Sequence, residues 1–421
     1  MAERFVNVDG QTPMFLPPDL REWVADNELA HLVLEATELC DLRAARCNAR
    51  GSGSEQYPPT MMLALLIYAY ATGLFSSRRI ERATYDSVAV RYLCANHHPD
   101  HDTIAKFRRE NEALFRSCFA QVILLAREAG VLRVGAVSVD GTRLAGAGSL
   151  RAVRRLEEIE QELESLGAEL LQKAEAADAS DTDAGGTQLP SELCDRAQRK
   201  RKLLAAKAAI LQRRKKAREA GRRDQKGSGR RSETACVSEP ESRRLGRRGG
   251  GAVQGYNAQA VIDAGKSGLI VGAHLSDAPN DSQELSPALC TVAPEAGQAA
   301  VVLLDQGYDN TEQIARVERE KKLLVLCPPQ RRPNAKPHNP KRKGRRQWTW
   351  QKRRQMEQRL RCPLLRALYR RRQPSGEAVF ARIKSHLGFR RFQVWGKRAA
   401  TSEWVLVCLA HNCRLLAAKR A

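Results

Sequence analysis

Apolar residues recur at helical spacing along the chain as far as about Leu132, and beyond it they form short continuous runs. In the first part, the apolar stretches follow prolines, serines and acidic residues that suit helix starts. They predict four helices, over 61–71, 78–92, 104–112 and 115–129. The helix over 104–112 has a basic face with Lys106, Arg108 and Arg109. This face suits a helix-turn-helix-like DNA reader, although any small helical domain shows such short capped helices.

Beyond Leu132 the pattern predicts strands alternating with helices. Strands are predicted over 134–139 (ending at Asp140), 252–263, 268–275, 300–304 (ending at Asp305) and 322–326, with helices from about 282 and over 311–321. This order matches an α/β fold of the ribonuclease H-like class with a helical insertion after its first strand. We therefore expect a helical N-terminal domain over 1–132, a ribonuclease H-like domain over 133–420 and an insertion over 150–225.

The predicted insertion has two halves of opposite charge. Residues 151–195 hold four basic and twelve acidic residues, whereas 196–230 hold fifteen basic and two acidic. Apolar residues at alternating three- and four-residue spacing, from Leu156 to Leu170 and from Leu203 to Ile210, predict one helix on each side. Two antiparallel helices that pair with each other are one interpretation, and an arm that grips DNA is the other.

The net charge and its distribution indicate what kind of partner the chain binds. The 421 residues include 71 Lys plus Arg and 48 Asp plus Glu, a net charge of +23, which is unusual for an ordinary metabolic enzyme. Residues 331–400 hold 23 of the cations and only two acids, Glu357 and Glu377. Such a single-sign field favours a polyanion, and nucleic acid is the commonest in a cytoplasm. A solvated basic tail is the alternative, but aromatic and aliphatic residues interrupt the stretch.

Cysteine usage and hydropathy favour a soluble cytoplasmic protein. The 11 cysteines include no CxxC pair, which is typical of reduced thiols. The longest apolar run, 61–75, is shorter than the roughly 20 residues of a membrane span, so we expect no membrane contact. A cluster of Cys94, His97, His98 and His101 raises the alternative of zinc binding.

Two aspartates stand where predicted strands end. Asp140 in VSVDG and Asp305 in LLDQG each follow an apolar run, with a glycine close behind. Ligands collect at the carboxyl ends of strands in α/β sheets, and Mg²⁺ prefers carboxylate oxygens. The pair therefore predicts a shared metal site, although either residue alone could be a turn former. Glu377 is one of few acids left to complete it, and Lys384 lies two helical turns further on.

Several segments resemble DDE transposases of the bacterial IS1182 type, within the wider IS4/IS5 group. The resemblance covers most of the chain: YPPTMMLALLIYAYATGLFSSRRIE and PDHDTIAKFR in the N-terminal part, then VSVDGTRL, VQGYNAQAVID, VVLLDQGYDN and YRRRQPSGEAVFARIK. It implies that Asp140, Asp305 and Glu377 are the catalytic, metal-binding triad. It also implies that Tyr369, Arg372 and Lys384 are the accompanying DNA-binding residues. The spacing to Glu377 leaves Arg371 as an alternative to Arg372, and Gly376 departs from the bulkier residue that is usual there. Three rival acids rank as auxiliaries, Asp263, Asp281 and Glu284.

The resemblance also implies the reaction and its partners. Binding of the terminal inverted repeats of an insertion sequence is expected, followed by Mg²⁺-dependent DNA cleavage and strand transfer, with Mn²⁺ able to substitute. Double-stranded DNA of the transposon ends and target is the expected partner. A dimer is expected in the synaptic complex, and the nucleoid is the expected location. A non-catalytic transposase relic and a ribonuclease H-like nuclease without strand transfer remain as alternatives.

Overall fold

The computed structural model describes residues 19–26, 28–47, 56–178, 191–219, 233–246, 250–330 and 345–420. Within them the fold is mixed α/β, with helices before, between and after the strands of one larger sheet. No helix in these ranges contains an apolar stretch long enough to cross a membrane.

The chain begins with helices that surround a central apolar one. Helix α2 is buried on every side from Met61 to Ala71, because its sequence has no polar face to turn toward water. Pro59 lies in its first turn, where a missing N–H leaves no bond unmade. The six helices are α1 (Leu29–Glu38), α2 (Pro59–Ala71), α3 (Ser77–Asp86), α4 (Val88–Leu93), α5 (His101–Glu110) and α6 (Glu112–Glu128).

Two features of this region correct the sequence predictions. The single helix predicted over 78–92 is two helices, because the Ser87 hydroxyl accepts the Val90 N–H and starts α4. Arg108 does not lie on an exposed basic face. It is 3% exposed and donates to the Tyr70 hydroxyl (3.0 Å) and the Phe75 carbonyl (2.7 Å).

The zinc site that the sequence left as an alternative is not formed by Cys94, His97, His98 and His101. The Cys94 thiol is buried, and burial raises its pKa to about 12, which disfavours the thiolate that zinc requires. His98 bonds to Thr84 (3.0 Å) and His101 to Glu81 (2.9 Å). In the described ranges no cluster of three potential ligands could hold a metal ion, and the cysteines there are free of disulfide bonds.

The larger sheet has strand β1 at its centre. β5 and β4 follow on one side of β1, with β6 also paired to β5, while β7 and then β8 follow on the other side. β5 is antiparallel to β1, β4 and β6, whereas β7 and β8 run parallel to β1. This arrangement is compatible with the ribonuclease H-like fold. The strands are β1 (Ala136–Ala145), β4 (Arg243–Gly246), β5 (Ala252–Asp263), β6 (Ile270–Ser276), β7 (Val301–Leu304) and β8 (Leu324–Leu326).

The sequence predicted that the first strand ends at Asp140, and this prediction is wrong. β1 continues to Ala145, and Gly141 lies within it, opposite Gln259 of β5. A methyl group at Gly141 would lie 2.2 Å from Gln259 Nε2, closer than any real contact. The glycine therefore serves close packing rather than a turn.

Two long helices between β1 and β5 pack against each other. Helices α7 (Leu156–Asp178) and α8 (Ser191–Glu219) share a small apolar core that includes Ile159 and Leu203. Ion pairs of 2.6 to 2.8 Å join them: Glu160 with Lys207, Glu162 with Arg199, and Glu169 with Arg196. The pairs indicate an antiparallel arrangement, and a short ribbon of β2 (Val153–Arg155) and β3 (Thr234–Cys236) closes its base.

The remaining helices cover the two faces of the sheet. One face packs on α11 (Arg345–Arg361) and α12 (Pro363–Tyr369), through residues such as Leu303 and Leu360. The other packs on α14 (Lys397–Arg420), whose buried Trp404 donates to the Gln259 carbonyl (3.0 Å). Helix α13 (Arg372–Ala381) lies beside β1, while α9 (Leu285–Leu289) and α10 (Thr311–Lys321) flank the sheet edge.

Candidate active site

Asp140 and Asp305 lie at the same height on neighbouring strands. β1 and β7 are parallel and register Val139 with Leu304, so the residues that follow them are side by side. Directly paired residues of parallel strands project from the same face of the sheet. The face is the one covered by α11 and α12, because Ala136 and Leu303 both pack there. Sheet geometry thus brings together two carboxylates that lie far apart in the sequence.

The Asp140 carboxylate is poorly compensated. Its side chain is only 20% exposed, and burial raises its pKa to about 6. The Gly141 N–H (2.9 Å) and the Arg372 guanidinium (3.7 Å) act in the opposite direction, while Asp305 and Asp281 raise the pKa further. A divalent cation would stabilise a buried carboxylate that lies beside a second one and has a long ion pair with Arg372 (3.7 Å).

Asp305 holds the turn that follows β7. Its Oδ1 accepts the Gln306 N–H (2.6 Å) and caps the short 3₁₀ helix Gln306–Tyr308. The Cys327 thiol donates to the Asp305 carbonyl (3.4 Å). The backbone of Asp305 is therefore fixed from two sides.

Helix α13 approaches Asp140 through a glycine. A methyl group at Gly376 would lie 2.6 Å from Asp140 Oδ2. Only a residue without a side chain allows this approach in the helix. Gly376 is therefore a buried contact point of the helix with β1.

The three accompanying residues contact β1 or the end of β7. The Tyr369 hydroxyl donates to the carbonyl of Leu304 (3.1 Å), the residue before Asp305, and burial raises the pKa of Tyr369 to about 12. Arg372, and not the exposed Arg371, lies beside Asp140. Lys384 donates to the carbonyl of Arg143 (3.3 Å), also on β1.

Glu377 is not brought to the aspartate pair in this structure. It lies on α13 directly after Gly376, but its side chain is exposed and accepts a long hydrogen bond from Gln373 (3.4 Å). The absence of a three-ligand cluster in the described ranges applies to the triad too. The predicted triad thus consists here of an assembled pair and one outlying acid.

Asp281 occupies a position that sequence reasoning ranked only as auxiliary. Its Oδ1 accepts from Asn257 Nδ2 and Gln259 Nε2, both at 2.7 Å. A methyl group at Gly141 would lie 2.9 Å from that oxygen, and one at Gly307 would lie 3.3 Å from Oδ2. Asp281 therefore packs against the backbone just beyond both aspartates.

The same network reaches the turn after Asp305. The buried Tyr308 hydroxyl donates to Gln259 Oε1, so Tyr308, Gln259 and Asp281 form a continuous chain of hydrogen bonds. Asn257, Gln259 and Tyr308 were not singled out from the sequence. The signal available was the polar side chains of Asn257 and Gln259, two residues apart in a strand that is otherwise apolar at its centre.

The other rival acids have structural partners. The buried carboxylate of Asp263 accepts from Ser267 and from the Gly265 N–H (3.1 Å), which shapes the turn between β5 and β6. Glu284 bonds to His274 Nε2 (3.1 Å). Neither carboxylate bonds to the network around the two aspartates, although the Glu284 N–H donates to the Asp281 carbonyl (3.0 Å).

The donor set of the aspartate pair fits a hard divalent cation. Asp140 and Asp305 offer only carboxylate oxygens, which suit Mg²⁺ and Mn²⁺. Burial, and to a smaller extent Asp305 and Asp281, raise the pKa of Asp140, and a bound cation would offset both effects. Arg372 and Lys384 add hydrogen-bond donors near β1, as an anionic substrate would require, whereas the one O–H of Tyr369 is donated to the Leu304 carbonyl.

Comparison with known families gives two matches along the chain. Residues 19–110 match the family described as Transposase domain (DUF772). Residues 297–417 match the family described as Transposase DDE domain, and this range contains Asp305, Tyr369 and Glu377. No curated protein and no solved structure matches the chain significantly.

Proposed function

The chain belongs to the DDE transposases, and from that premise we propose that it cleaves the ends of an IS1182-type insertion sequence and transfers them to target DNA. The observation that supports this most strongly is the placement of Asp140 and Asp305 at one height on adjacent parallel strands. The fold gains nothing from the charge of Asp140 at this position, since burial opposes that charge.

In this proposal Asp140 and Asp305 hold divalent metal, Mg²⁺ with Mn²⁺ as a substitute. Bound metal supplies the charge that activates an attacking oxygen and stabilises a leaving one in phosphoryl transfer. The two aspartates position it through the fixed backbone of β1 and of the turn after β7. A hydrolytic step and a strand-transfer step use the same arrangement.

Glu377 is the third acid of the proposal. It follows Gly376, the residue of α13 that contacts Asp140, so its backbone is close to the pair. Exposed side chains change rotamer within nanoseconds. We therefore assign Glu377 the role of completing the site when DNA and metal are bound.

In this proposal Arg372, Tyr369 and Lys384 bind the DNA at the scissile phosphate. Arg372 neutralises part of the charge of Asp140 at 3.7 Å and has further N–H donors to offer. Tyr369 is held at the Leu304 carbonyl, and Lys384 lies along β1 beyond Asp140. These residues contact backbone phosphates, which position the DNA but do not read its sequence.

The proposal divides the chain as follows. A helical domain over 1–132 contributes to recognition of the inverted repeats, and a ribonuclease H-like catalytic domain spans 133–420, with the helical hairpin over 150–225 inserted in it. Double-stranded DNA of the nucleoid is the partner. Two copies act together, because the two ends of one element are cut in one synaptic complex.

The test is cleavage of the element's own ends. Purified protein is incubated with Mg²⁺ and a DNA fragment that has these ends, beside Asp140→Asn and, as a control, Asp102→Asn on the exposed surface of α5. Cleavage at the ends by the wild type and the control, lost in Asp140→Asn, supports the proposal. Binding without cleavage would favour a transposase relic. Cleavage of any DNA or RNA would favour a general nuclease.

A further inference from the structure

A groove of about 530 Å³ lies on the side of α13 that faces away from Asp140. Its walls are the turn between β5 and β6, one face of α13 and the C-terminal end of α14. The Lys419 side chain donates to the Lys266 carbonyl (3.1 Å) and so ties α14 to the turn. The groove is therefore a formed feature of the fold and not a gap between loose segments.

The rim of the groove is cationic. Lys266, Arg371, Arg382 and Lys419 line it, and no acid lines it. Within the described part of the chain none of the four forms an ion pair, whereas many other cations do, such as Arg353 with Asp309 (2.6 Å). Four like charges around one groove without ion-pair partners repel one another, and an anion in the groove would relieve that repulsion.

The floor of the groove is apolar. Ala264, Ala378, Val379 and Leu415 contribute to it. A DNA strand combines anionic phosphates with the apolar carbons of deoxyribose. A cationic rim above an apolar floor therefore complements a sugar–phosphate backbone better than it complements a free anion.

The position of the groove connects it with the aspartate pair. Arg371, Ser375, Ala378 and Arg382 recur at the spacing of one helix face and line the groove. Gly376 lies on the face of the same helix that contacts Asp140. A single helix, about 10 Å across, thus separates the groove from the site.

We propose that this groove binds the sugar–phosphate backbone of DNA next to the bond that is cut. The inference rests on the proposed function, which supplies the DNA, and adds a contact surface outside the Asp140 site. Because phosphate contacts are independent of sequence, the groove contributes affinity and alignment, not recognition of the ends.

The experiment removes groove cations without touching Arg371, which adjoins the site. The triple variant Lys266→Gln, Arg382→Gln, Lys419→Gln is compared with a control of equal charge change, Arg319→Gln, Lys321→Gln, Lys322→Gln, on the exposed end of α10. Binding of a labelled DNA duplex of mixed sequence is measured across salt concentrations. The salt dependence is the slope of log affinity against log salt concentration. Each lost phosphate contact should reduce the size of this slope by about one, so we expect a reduction of about three for the groove variant and of less than about one for the control.

Each outcome decides the inference. Equal slopes for the groove variant and the control, or no duplex binding by the wild type, would overturn it, as would a groove-dependent loss seen with RNA but not with DNA. If the salt slope of the groove variant is reduced as expected but the wild type does not cleave transposon ends, the groove inference stands and the proposed function fails. If the wild type cleaves ends and the groove variant has the same slope as the control, the proposed function stands and the groove inference fails.

Discussion

Two glycines bring backbone into contact with the groups of the site. Gly141 places β1 against Gln259 and Asp281, and Gly376 places α13 against Asp140. Both have ordinary backbone angles, so close approach and not conformational freedom explains them. Each glycine therefore allows an aspartate side chain to lie directly against the backbone.

Gly376→Ala should therefore abolish or strongly reduce end cleavage. The added methyl group would lie 2.6 Å from Asp140 Oδ2, so either α13 or the aspartate must move. A displacement of about 1 Å lowers enzymatic rates by about 100-fold. The rate of cleavage at fixed Mg²⁺ is the measurement.

The matched control is Gly167→Ala in α7. No atom lies within 4 Å of the position of its new methyl group. Alanine in a helix interior is more stable than glycine by about 0.5 to 1 kcal/mol. Unchanged cleavage with raised stability is expected, and a Gly376→Ala enzyme that cleaves as well as this control would refute the packing argument.

Asp140→Asn should stabilise the protein at neutral pH when no divalent metal is present. Burial raises the pKa of Asp140 from 3.8 to about 6, so the folded state holds the proton more tightly than the unfolded chain. This contribution to stability is present below about pH 4 and is lost as the pH rises through about 6. Asparagine is neutral throughout.

The free energy of unfolding in urea measures this effect. The gain of Asp140→Asn over the wild type should be near zero at about pH 4 and reach up to about 3 kcal/mol above pH 6. The lost ion pair with Arg372 acts against the gain. A gain that does not grow between these pH values would contradict the assigned environment of Asp140.

Single residues also mark the limit of what sequence reasoning could predict. Asp140 and Asp305 could be selected because each follows an apolar strand, and strand ends in such sheets meet at one edge. The exposure of Glu377 could not be predicted from the sequence, because the direction of a helical side chain depends on packing between elements. Gly141 was interpreted as a turn former, since the sequence does not show that Gln259 lies opposite it.

At the scale of elements, the segment before α9 is fastened to the turn after β7. Besides the Asp281 network, Asn310 donates to the Ser282 carbonyl (3.1 Å) and Gln313 to the Gln283 carbonyl (2.8 Å). This segment therefore limits the movement of β1 and of the turn that contains Asp305.

Asp281→Ala should consequently lower end cleavage by at least tenfold while DNA binding changes little. Without the carboxylate, Asn257 and Gln259 lose a shared acceptor, and the backbones at Gly141 and Gly307 lose their common contact. Asp281→Asn keeps an oxygen that can accept both bonds, so it should recover most of the rate. Single-turnover cleavage and affinity are measured for each variant.

Asp277→Ala is the control for general stability. It removes an acid from the same region, paired with Lys397 (2.6 Å), that has no contact with the network. If Asp281→Ala and Asp277→Ala cleave equally well, or if Asp281→Asn is as slow as Asp281→Ala, Asp281 does not position the site.

Elements were more predictable from sequence than side-chain directions. The predicted bounds of β5 and α10 agree with Ala252–Asp263 and Thr311–Lys321, because each is a continuous pattern between turn or cap residues. The break at Ser87 was missed because the apolar spacing continues through it. The extent of β1 was missed because Asp-Gly is also a common turn sequence.

For the whole molecule, a buried polar cluster joins the N-terminal helices to α14. The Glu403 carboxylate is fully buried and accepts from the Tyr70 hydroxyl and from the Gln393 N–H (2.8 Å). Arg108 donates to the same Tyr70 hydroxyl (3.0 Å). The helices matched by the first family are thus connected through buried hydrogen bonds to the last helix of the second.

Glu403→Ala should destabilise the protein by about 3 to 5 kcal/mol, because it leaves Arg108 buried without a carboxylate. The free energy of unfolding in urea is measured beside that of Glu128→Ala. Glu128 is exposed at the end of α6, so its loss should change stability by less than about 0.5 kcal/mol. Similar values for the two variants would show that the cluster does not join the parts of the fold.

The distribution of charge was the feature of the whole molecule that sequence predicted best in outline. The basic stretch over 331–400 includes α11, α12 and α13, which lie on the face of the sheet with Asp140. Part of it, 331–344, lies outside the described residues. The sequence could not show which cations are paired, since partners such as Asp309 and Glu318 come from other elements.

The central claim is that Asp140 and Asp305 hold the metal at which DNA is cut, and replacement of each by cysteine tests it most directly. Mg²⁺ accepts a thiolate poorly, whereas Mn²⁺ accepts it better. Asp309→Cys is the control, because Asp309 is a nearby acid that pairs with Arg353 (2.6 Å). The account predicts that Asp140→Cys and Asp305→Cys do not cleave transposon ends in Mg²⁺ and regain cleavage in Mn²⁺, while Asp309→Cys shows no such metal dependence. Equal loss of cleavage in both metals for the two variants would contradict it.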